Sequence, residues 1–386
     1  MALSALNQRR LQNFRNNRRA LWSFWIFAVL FGISLFAEIV ANDKPIVVQY
    51  RGSYFTPIFS FYPETAFGGD FATEADYRDP TVACLIRSGG SELCFDEPEA
   101  IMAEAETGVV DGEPIEKGWM IWPLVPYSYN TINYDVQVAP SPPDAAHWFG
   151  TDNQTRDVLA RVIYGFRLSV LFALIVVFST SVLGILAGVV QGYFGGLVDL
   201  IFQRLIEIWT AVPMLYVIII LSAIWQMNFW LLVGLSVLFG WTGLVGVVRA
   251  EFLRARNFEY VRAARALGVS DFTIMIRHVL PNAMVATLTI LPFAVTGAIG
   301  SLAALDFLGF GLPSSSPSLG ELTQQAKQNL HMPHLAIVAF LTFTVILSLL
   351  VFVFEGVRDA FDPRKTFVAK STSDDAQADE PEARAA

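Results

Sequence analysis

Five long stretches of this chain contain no charged residue, and they constrain the fold more than any other feature. They cover residues 20–37, 168–198, 208–248, 279–305 and 335–354. A helix needs about 20 consecutive apolar residues to cross the hydrocarbon core of a bilayer. Only 16% of the residues are charged and 54% are hydrophobic, whereas about a quarter are charged in soluble domains. The sequence therefore predicts an all-α polytopic membrane protein.

The third stretch is too long for a single crossing. Its middle, Trp225-Gln226-Met227-Asn228, is polar and aromatic, as expected of a turn at a membrane surface. We therefore predict two helices there, at roughly 206–225 and 229–249, and six transmembrane helices in total.

The arginines at the start of the chain predict its orientation. Arg9, Arg10, Arg15, Arg18 and Arg19 precede the first apolar stretch. That stretch is longer than the apolar region of a signal peptide and lacks a following A-x-A site, so we predict a retained anchor. By the positive-inside rule the N-terminus is cytoplasmic, and six spans return the C-terminus to the same side.

These spans divide the chain into five predicted parts. They are a basic cytoplasmic N-terminus (1–19), a first transmembrane helix (20–41), a periplasmic insertion domain of mixed structure (42–155), a permease-like core with five transmembrane helices (156–357) and a cytoplasmic tail (358–386). Within the insertion, 95–118 has the acidity of a solvated loop. The tail is acidic and poor in large apolar residues from about 371, so we predict disorder there.

Both cysteines of the chain, Cys84 and Cys94, lie in the insertion. Ser88-Gly89-Gly90 between them supplies a turn that would bring the two thiols together, and an oxidising periplasm would permit a disulfide. Two free thiols are the alternative, because a separation of ten residues allows a bridge without requiring one.

The sequence contains no motif for catalysis. It has no G-x-x-x-x-G-K-[ST] phosphate loop, no nucleophile motif and no cluster of metal ligands. We therefore predict a chain that is not an enzyme, with no catalytic, cofactor or metal site.

The loop at residues 260–283, between predicted spans four and five, has the pattern of a helix-turn-helix. Residues 263–267 favour a helix, Gly268 can end it in the left-handed conformation, and Ser270 can cap the next helix. Small Ala263 and Ala264 would leave one side thin enough to enter a groove on a partner. Alternatively, the loop's arginines only set the membrane topology.

The spacing of Ala263-Ala264, Gly268 and Leu280-Pro281 resembles the EAA loop of bacterial ABC importer permeases. In that family the loop docks into the ATPase subunits, which implies a coupling role for this segment (251–281). Arg262 stands where the family usually has Glu, and Glu259, about one turn earlier, is a candidate substitute. Pro281 is tolerated in the first turn of a helix, so movement of the loop would pass directly to the next span.

Other motifs extend the resemblance across residues 147–365. "HWFGTDNQTRDVLARVIYG" is similar to the G-T-D-x-x-G-R-D-V-L-S-R-x-x-Y-G segment of the dipeptide/oligopeptide permease family, with Thr155 in place of its second Gly. We expect Asp152 or Thr155 to cap the helix that follows. "QGYFGG", "LDFLGFGLPSSSPSLG" and "EGVRDAFDPR" resemble later motifs of the same family. The long insertion resembles the Yej-type members, which serve microcin C and oligopeptide import.

The resemblance implies a set of partners. They are a homologous permease, two ABC ATPase subunits that bind ATP and Mg, and a periplasmic peptide-binding protein, with no cofactor on this chain and a location in the bacterial inner membrane. A secondary transporter or channel that works without ATPase subunits is the alternative.

Two further features concern the spans themselves. Asp306 follows small residues at the outer end of a span, so it is a candidate gate; helix capping or an interfacial ion pair is the alternative.

Small residues in the second and fifth spans predict close helix contacts; they are Gly184, Ala187, Gly188, Gly297, Gly300 and Ser301.

Overall fold

The structure is a computed structural model that describes residues 5–361, and it consists mainly of helices. The predicted disordered tail lies outside the described residues. Contacts divide the chain into two units. The first contains residues 5–30, 169–313 and 342–361, and the second contains residues 31–168 and 314–341.

Among residues 5–361, all the strands lie in the insertion and the rest of the regular structure is helical. The helices are α1 (Ala5–Asn16), α2 (Arg18–Leu35), α3 (Ala37–Val40), α4 (Pro80–Ser88), α5 (Pro98–Ala105), α6 (Val158–Phe194), α7 (Gly196–Thr210), α8 (Met214–Ile224), α9 (Phe229–Gly240), α10 (Thr242–Ala255), α11 (Glu259–Ala266), α12 (Asp271–Thr273), α13 (Leu280–Phe307), α14 (Leu319–Gln328) and α15 (Pro333–Phe361). The strands are β1 (Val47–Tyr50), β2 (Ser53–Phe55), β3 (Val109–Val110), β4 (Glu113–Pro114) and β5 (Trp119–Ile121).

Within residues 5–361, five helical segments are long and apolar enough to cross a membrane, and a bent pair of helices raises the number to six. The five are Arg18–Leu35, Val158–Phe194, Phe229–Ala255, Asp271–Phe307 and Pro333–Phe361. The predicted all-α polytopic fold is thereby confirmed.

The predicted continuous helix at 206–225 is wrong. The chain there forms α7 and α8, which are bent by 55° at a break before Met214. Pro213 explains the break, because proline lacks a backbone N–H and disfavours the helical conformation of the residue before it.

Glycines form a close seam between α6 and α10 in the first unit. A Cβ atom added to Gly188 would lie 2.7 Å from the Cβ of Val248, and one added to Gly184 would lie 2.5 Å from the carbonyl oxygen of Trp241. Substitution at either position would therefore push the helices apart. By contrast, a Cβ at Gly297 or Gly300 would meet no atom within 4 Å in the described part of the chain.

The insertion lies in the second unit and has its own small core. Antiparallel strands pair in the order β2-β1-β5, and α4 follows with Asp79 as its N-cap. Cys84 of α4 forms a disulfide with Cys94.

The segment at 95–118, predicted to be a solvated loop, is instead folded as α5 and the β3-β4 hairpin. Ile101 and Ala105, one turn apart on α5, are buried against α4 together with Val110. Apolar residues at this helical spacing outweigh the acidity of the segment because they bury a continuous face.

The start of α6 also differs from the sequence prediction. Its N-cap is Asp157, whose Oδ1 accepts a hydrogen bond from the amide of Ala160 at 2.8 Å. Asp152 instead accepts hydrogen bonds from the amides of Gln154 and Arg156 in the preceding turn. Thr155 lies within that turn with φ of +59°, in the left-handed region where the resembled motif has glycine.

Candidate functional site

The loop that follows α10 folds as the predicted helix-turn-helix. Its first limb is α11, which ends at Ala266 and is followed by Gly268 with φ of +75°. Glycine adopts this conformation without the steric cost that a Cβ atom imposes. Ser270 then caps the second limb, and its hydroxyl accepts a hydrogen bond from the amide of Thr273.

The second limb is continuous with a membrane-spanning helix. Residues 271–273 are α-helical, 274–279 form a π-helical segment, and α13 follows from Leu280. Pro281 lies at the start of α13 and is exposed, whereas Leu280 packs partly buried against the apolar cluster beneath the loop. The helix therefore begins about ten residues before Pro281, and a displacement of the second limb displaces the span.

The inner side of the loop is anchored by apolar packing. Val261, Ala264 and Ile274 are buried in one cluster with Val248 and Phe252 of α10. The two alanines were both predicted to thin the outer side, and this is wrong for Ala264. Only Ala263 is exposed, because the turn of the helix directs its neighbour to α10.

The outer side of the loop exposes large apolar side chains that the sequence reasoning missed. They are Phe258, Tyr260, Leu267, Phe272 and Ile276, and Leu267 is 83% exposed. Large exposed apolar side chains grouped in one short segment are typical of surfaces that bind another protein. The sequence did contain an indication of this surface. The five residues are large and apolar, and they occur in a polar, arginine-rich loop outside the long apolar stretches.

The charges of the loop are of two kinds. Arg265 lies over the ring of Tyr193, 5.0 Å from its centroid, and 3.8 Å from the carboxylate of Asp271. The hydrogen bond with Tyr193 raises the pKa of the Arg265 guanidinium above its ordinary value. Arg262 and Glu259 are exposed and form no ion pair with any residue at positions 5–361. Arg265 therefore holds the loop together, whereas Arg262 and Glu259 remain available to a partner.

Asp306, the candidate gate, is buried near the end of α13. Its Oδ1 accepts a hydrogen bond from the amide of Leu312 at 2.7 Å. A Cβ at Gly311 would lie only 1.8 Å from the same oxygen. The carboxylate therefore fixes the turn that ends the span, as the capping alternative expects, and its role as a gate stays a prediction.

In the second unit, the G-T-D-type motif and the segment after Ser314 meet in a buried cluster of charges. Arg156 Nε donates to Asp152 Oδ2 at 2.8 Å, and Arg161 forms an ion pair with Glu321. Arg156 also lies 3.4 Å from Glu321. We call these four residues the charge cluster.

The environment of the charge cluster changes the pKa of Glu321 in two opposing directions. Burial raises the pKa of Glu321, whereas Arg161 and Arg156 lower it, and the effect of burial is larger. Carbonyl oxygens of Ser314 and Ser316 accept hydrogen bonds from the two guanidinium groups. The cluster therefore ties the chain that precedes and forms α14 to the first turns of α6.

Beside this cluster, His147 is buried and hydrogen-bonded. Its Nδ1 lies 2.9 Å from Asp157 Oδ2, and its Nε2 lies 2.8 Å from the side-chain nitrogen of Asn133. Across the described residues, no group of three or more His, Cys, Asp or Glu side chains is placed to hold a metal ion.

Comparisons with known proteins match most of the chain. Residues 180–367 match the family model for a binding-protein-dependent transport system inner membrane component. The chain is 50% identical to the peptidoglycan transport system permease protein YejE of Agrobacterium fabrum, over 94% of each chain. It is 51% identical to the inner membrane ABC transporter permease protein YejE of Escherichia coli, over 94% of this chain and 98% of that protein.

A more distant relative matches a smaller share of the chain. The oligopeptide transport system permease protein OppC of Lactococcus lactis is 34% identical over 57% of this chain and 76% of its own length. These relatives are permease proteins rather than enzymes. Together with the family model they show that the chain belongs to the inner membrane permeases of binding-protein-dependent ABC transport systems, and among them to the YejE-type permeases.

Proposed function

We propose that this chain is the transmembrane permease subunit of an ABC importer that takes up oligopeptides across the bacterial inner membrane. The names of the relatives refer to peptidoglycan and oligopeptide transport. Both kinds of substrate contain short peptides, so the class that they share is a peptide, including microcin C-like peptides. The insertion adds a folded periplasmic domain through which such a substrate or its binding protein would approach.

The proposed assembly contains a second, homologous permease, two ABC ATPase subunits and a periplasmic peptide-binding protein. ATP and Mg bind to the ATPase subunits, and no cofactor binds to this chain. The N- and C-termini lie on the cytoplasmic side, which places the loop at 258–281 on the same side as the ATPases.

The observation that carries the proposal is the two-sided construction of that loop. Its outer side exposes Leu267, Phe272 and their apolar neighbours, while its inner side is packed on α10 and its second limb continues into α13. A partner that binds the outer side therefore holds a rigid element. Because helix continues from the second limb into α13 with no intervening loop, a displacement of this element is passed to the start of the span.

The transport cycle follows from this arrangement. When ATP draws the two ATPase subunits together, each pulls the loop that it holds, and the span at Asp271–Phe307 moves with it. The pathway opens to the periplasm, the peptide enters from its binding protein, and hydrolysis returns the loops to their separated position.

The test is co-purification of ATPase subunits with matched aspartate variants. The chain is co-expressed with its genomic neighbours and purified in detergent as wild type, Leu267→Asp and Leu330→Asp. Leu267 and Leu330 are 83% and 82% exposed, so the control introduces the same charge at equal exposure outside the loop. We expect Leu267→Asp to lose the ATPase subunits and peptide-stimulated hydrolysis, and Leu330→Asp to retain both.

Each alternative result has a defined meaning. Equal recovery of the ATPase subunits with Leu267→Asp would refute docking through this loop. If wild type transports peptide in proteoliposomes without any ATPase subunit, the protein is a secondary transporter or channel and the proposal fails.

A further inference from the structure

The break between α1 and α2 opens into a cavity of about 460 Å³ in the first unit. The residues that line it are Asn16, Asn17, Arg18, Arg19, Phe352 and Glu355. Arg18 and Arg19 are exposed and form no ion pair with any residue that the structure describes. We call this site the arginine pocket.

The arginine pocket is held in place by close packing on α15. A Cβ at Gly356 would lie 2.2 Å from the Cβ of Ala20 and 3.1 Å from the ring of Phe14. The first turn of α2 and the last turn of α1 therefore both touch the same point of α15. In addition, Asn17 Oδ1 accepts a hydrogen bond from the amide of Ala20 at 3.2 Å. The backbone that carries the two arginines is thus fixed on both sides.

The charge of the pocket predicts an anionic ligand. Arg18 and Arg19 face a single lining carboxylate, Glu355, and exposed Arg15 lies one turn away along the chain. The planar guanidinium group presents paired N–H donors that match the oxygens of a phosphate. Two unpaired guanidinium groups beside one cavity therefore favour a phosphate group over a single carboxylate.

The surroundings of the pocket distinguish a lipid from a free phosphate ion. The first candidate membrane span starts at Arg18, which places both guanidinium groups at the depth of the lipid head groups. Trp22 and Trp25 follow one and two turns later on the same face of α2, and they are 68% and 57% exposed. Phe352 extends the apolar lining on the side of α15.

We propose that the arginine pocket binds an anionic phospholipid, with its phosphate on Arg18 and Arg19 and its acyl chains along Trp22 and Trp25. Basic pockets between transmembrane helices recognise anionic head groups in this way, and interfacial tryptophans pack at the same level. The inference does not depend on the imported substrate, and its test measures binding alone.

The experiment compares lipid binding by the purified permease complex in native mass spectrometry. The probes are phosphatidylglycerol and phosphatidylcholine with identical acyl chains. Arg18→Gln/Arg19→Gln removes the phosphate ligands, and Arg204→Gln/Arg254→Gln removes two exposed positive charges elsewhere that are already paired with Glu207 and Glu251. Each membrane-surface arginine contributes about a fivefold gain in affinity for an anionic lipid, so we expect a loss of roughly 25-fold in the first variant. The control should change less than about twofold.

The loss of two arginines could disturb how the chain inserts into the membrane, so a conservative variant serves as a second test. Arg18→Lys/Arg19→Lys keeps the charge that orients the chain but loses the paired donors, so we expect a several-fold loss of phosphatidylglycerol affinity. Recovery of the partner subunits shows that each variant is assembled.

Three results would overturn the proposal. The first is equal binding of the two lipids by wild type, and the second is unchanged phosphatidylglycerol binding in both pocket variants. The third is displacement of phosphatidylglycerol by excess inorganic phosphate, which would assign the pocket to the free ion.

Discussion

Replacement of Arg161 by methionine tests whether the charge cluster holds the second unit together. Arg161 is fully buried, and it pairs with Glu321, whose side chain is only 10% exposed. The change leaves Glu321 with one remaining cation, Arg156, at 3.4 Å. Breaking a buried pair by removing one partner costs about 3–5 kcal/mol, because the other charge stays buried without compensation.

This cost predicts a large fall in thermal stability. A loss of 1 kcal/mol lowers the unfolding midpoint by about 2–4 °C for domains of about 150–250 residues, so we expect roughly 6–20 °C. The midpoint is followed by tryptophan fluorescence in detergent. Arg167→Met is the matched control, since Arg167 pairs with the exposed Glu38 and exposed pairs contribute about 0–1 kcal/mol.

The effect of Arg161→Met should also depend on pH. Burial already raises the pKa of Glu321, and Arg161 is the largest influence that lowers it, so removal of Arg161 raises that pKa further. The folded variant then binds a proton more tightly than the unfolded chain does. Its stability must therefore increase as the pH falls through the raised pKa of Glu321 toward the ordinary glutamate value.

A double-mutant cycle with Glu321→Gln decides the outcome. If the two residues stabilise each other, the double variant loses less free energy than the sum of the single variants. Additivity within about 0.5 kcal/mol, or an Arg161→Met midpoint equal to that of Arg167→Met, would refute the reasoning.

Three further substitutions test local geometry, each through the free energy of unfolding. Thr155→Asn should raise it by about 0.5–1 kcal/mol, because asparagine tolerates the left-handed conformation better than a β-branched residue does. Gly188→Ala should lower it by about 1–3 kcal/mol through overpacking against α10, whereas Gly297→Ala should be neutral or slightly stabilising. Cys84→Ala/Cys94→Ala should cost the insertion roughly 2–3 kcal/mol, the loop-closure entropy of a short disulfide loop.

Each of these expectations has a contrary result. A less stable Thr155→Asn variant would mean that the threonine side chain contributes more than its backbone conformation costs. Equal effects at Gly188 and Gly297 would contradict the helix seam. If reductant leaves the unfolding of the insertion unchanged, the disulfide does not stabilise this domain and its packing alone is sufficient.

Local chemistry made the helix-turn-helix of the loop at 258–281 predictable. Gly268 and Ser270 act on their immediate neighbours, through backbone freedom and a capping hydrogen bond, so their roles follow from residue type and spacing. Ala264 was misassigned for the opposite reason. Its burial depends on Phe252 and other residues of α10, and the period of a short helix does not show which face meets a neighbour.

The charge cluster also could not be predicted from the sequence, because it too depends on contacts between residues that are distant along the chain. Asp152 and Glu321 are far apart along the chain, and nothing local to either indicates that two arginines lie between them. Without that information, Asp152 was expected to cap α6. The structure uses Asp157 for the cap, which leaves Asp152 free for Arg156.

The helical segment from Asp271 to Phe307 has one internal position where its backbone hydrogen bonding is interrupted. Pro292 lies inside it and removes one backbone hydrogen bond. At 1.5 Å per residue, about 32 Å of helix lies on the loop side of Pro292 and about 22 Å on the side of Asp306. Helices bend at internal prolines, so bending at Pro292 would let the loop-side part of the span tilt while the part near Asp306 keeps its place.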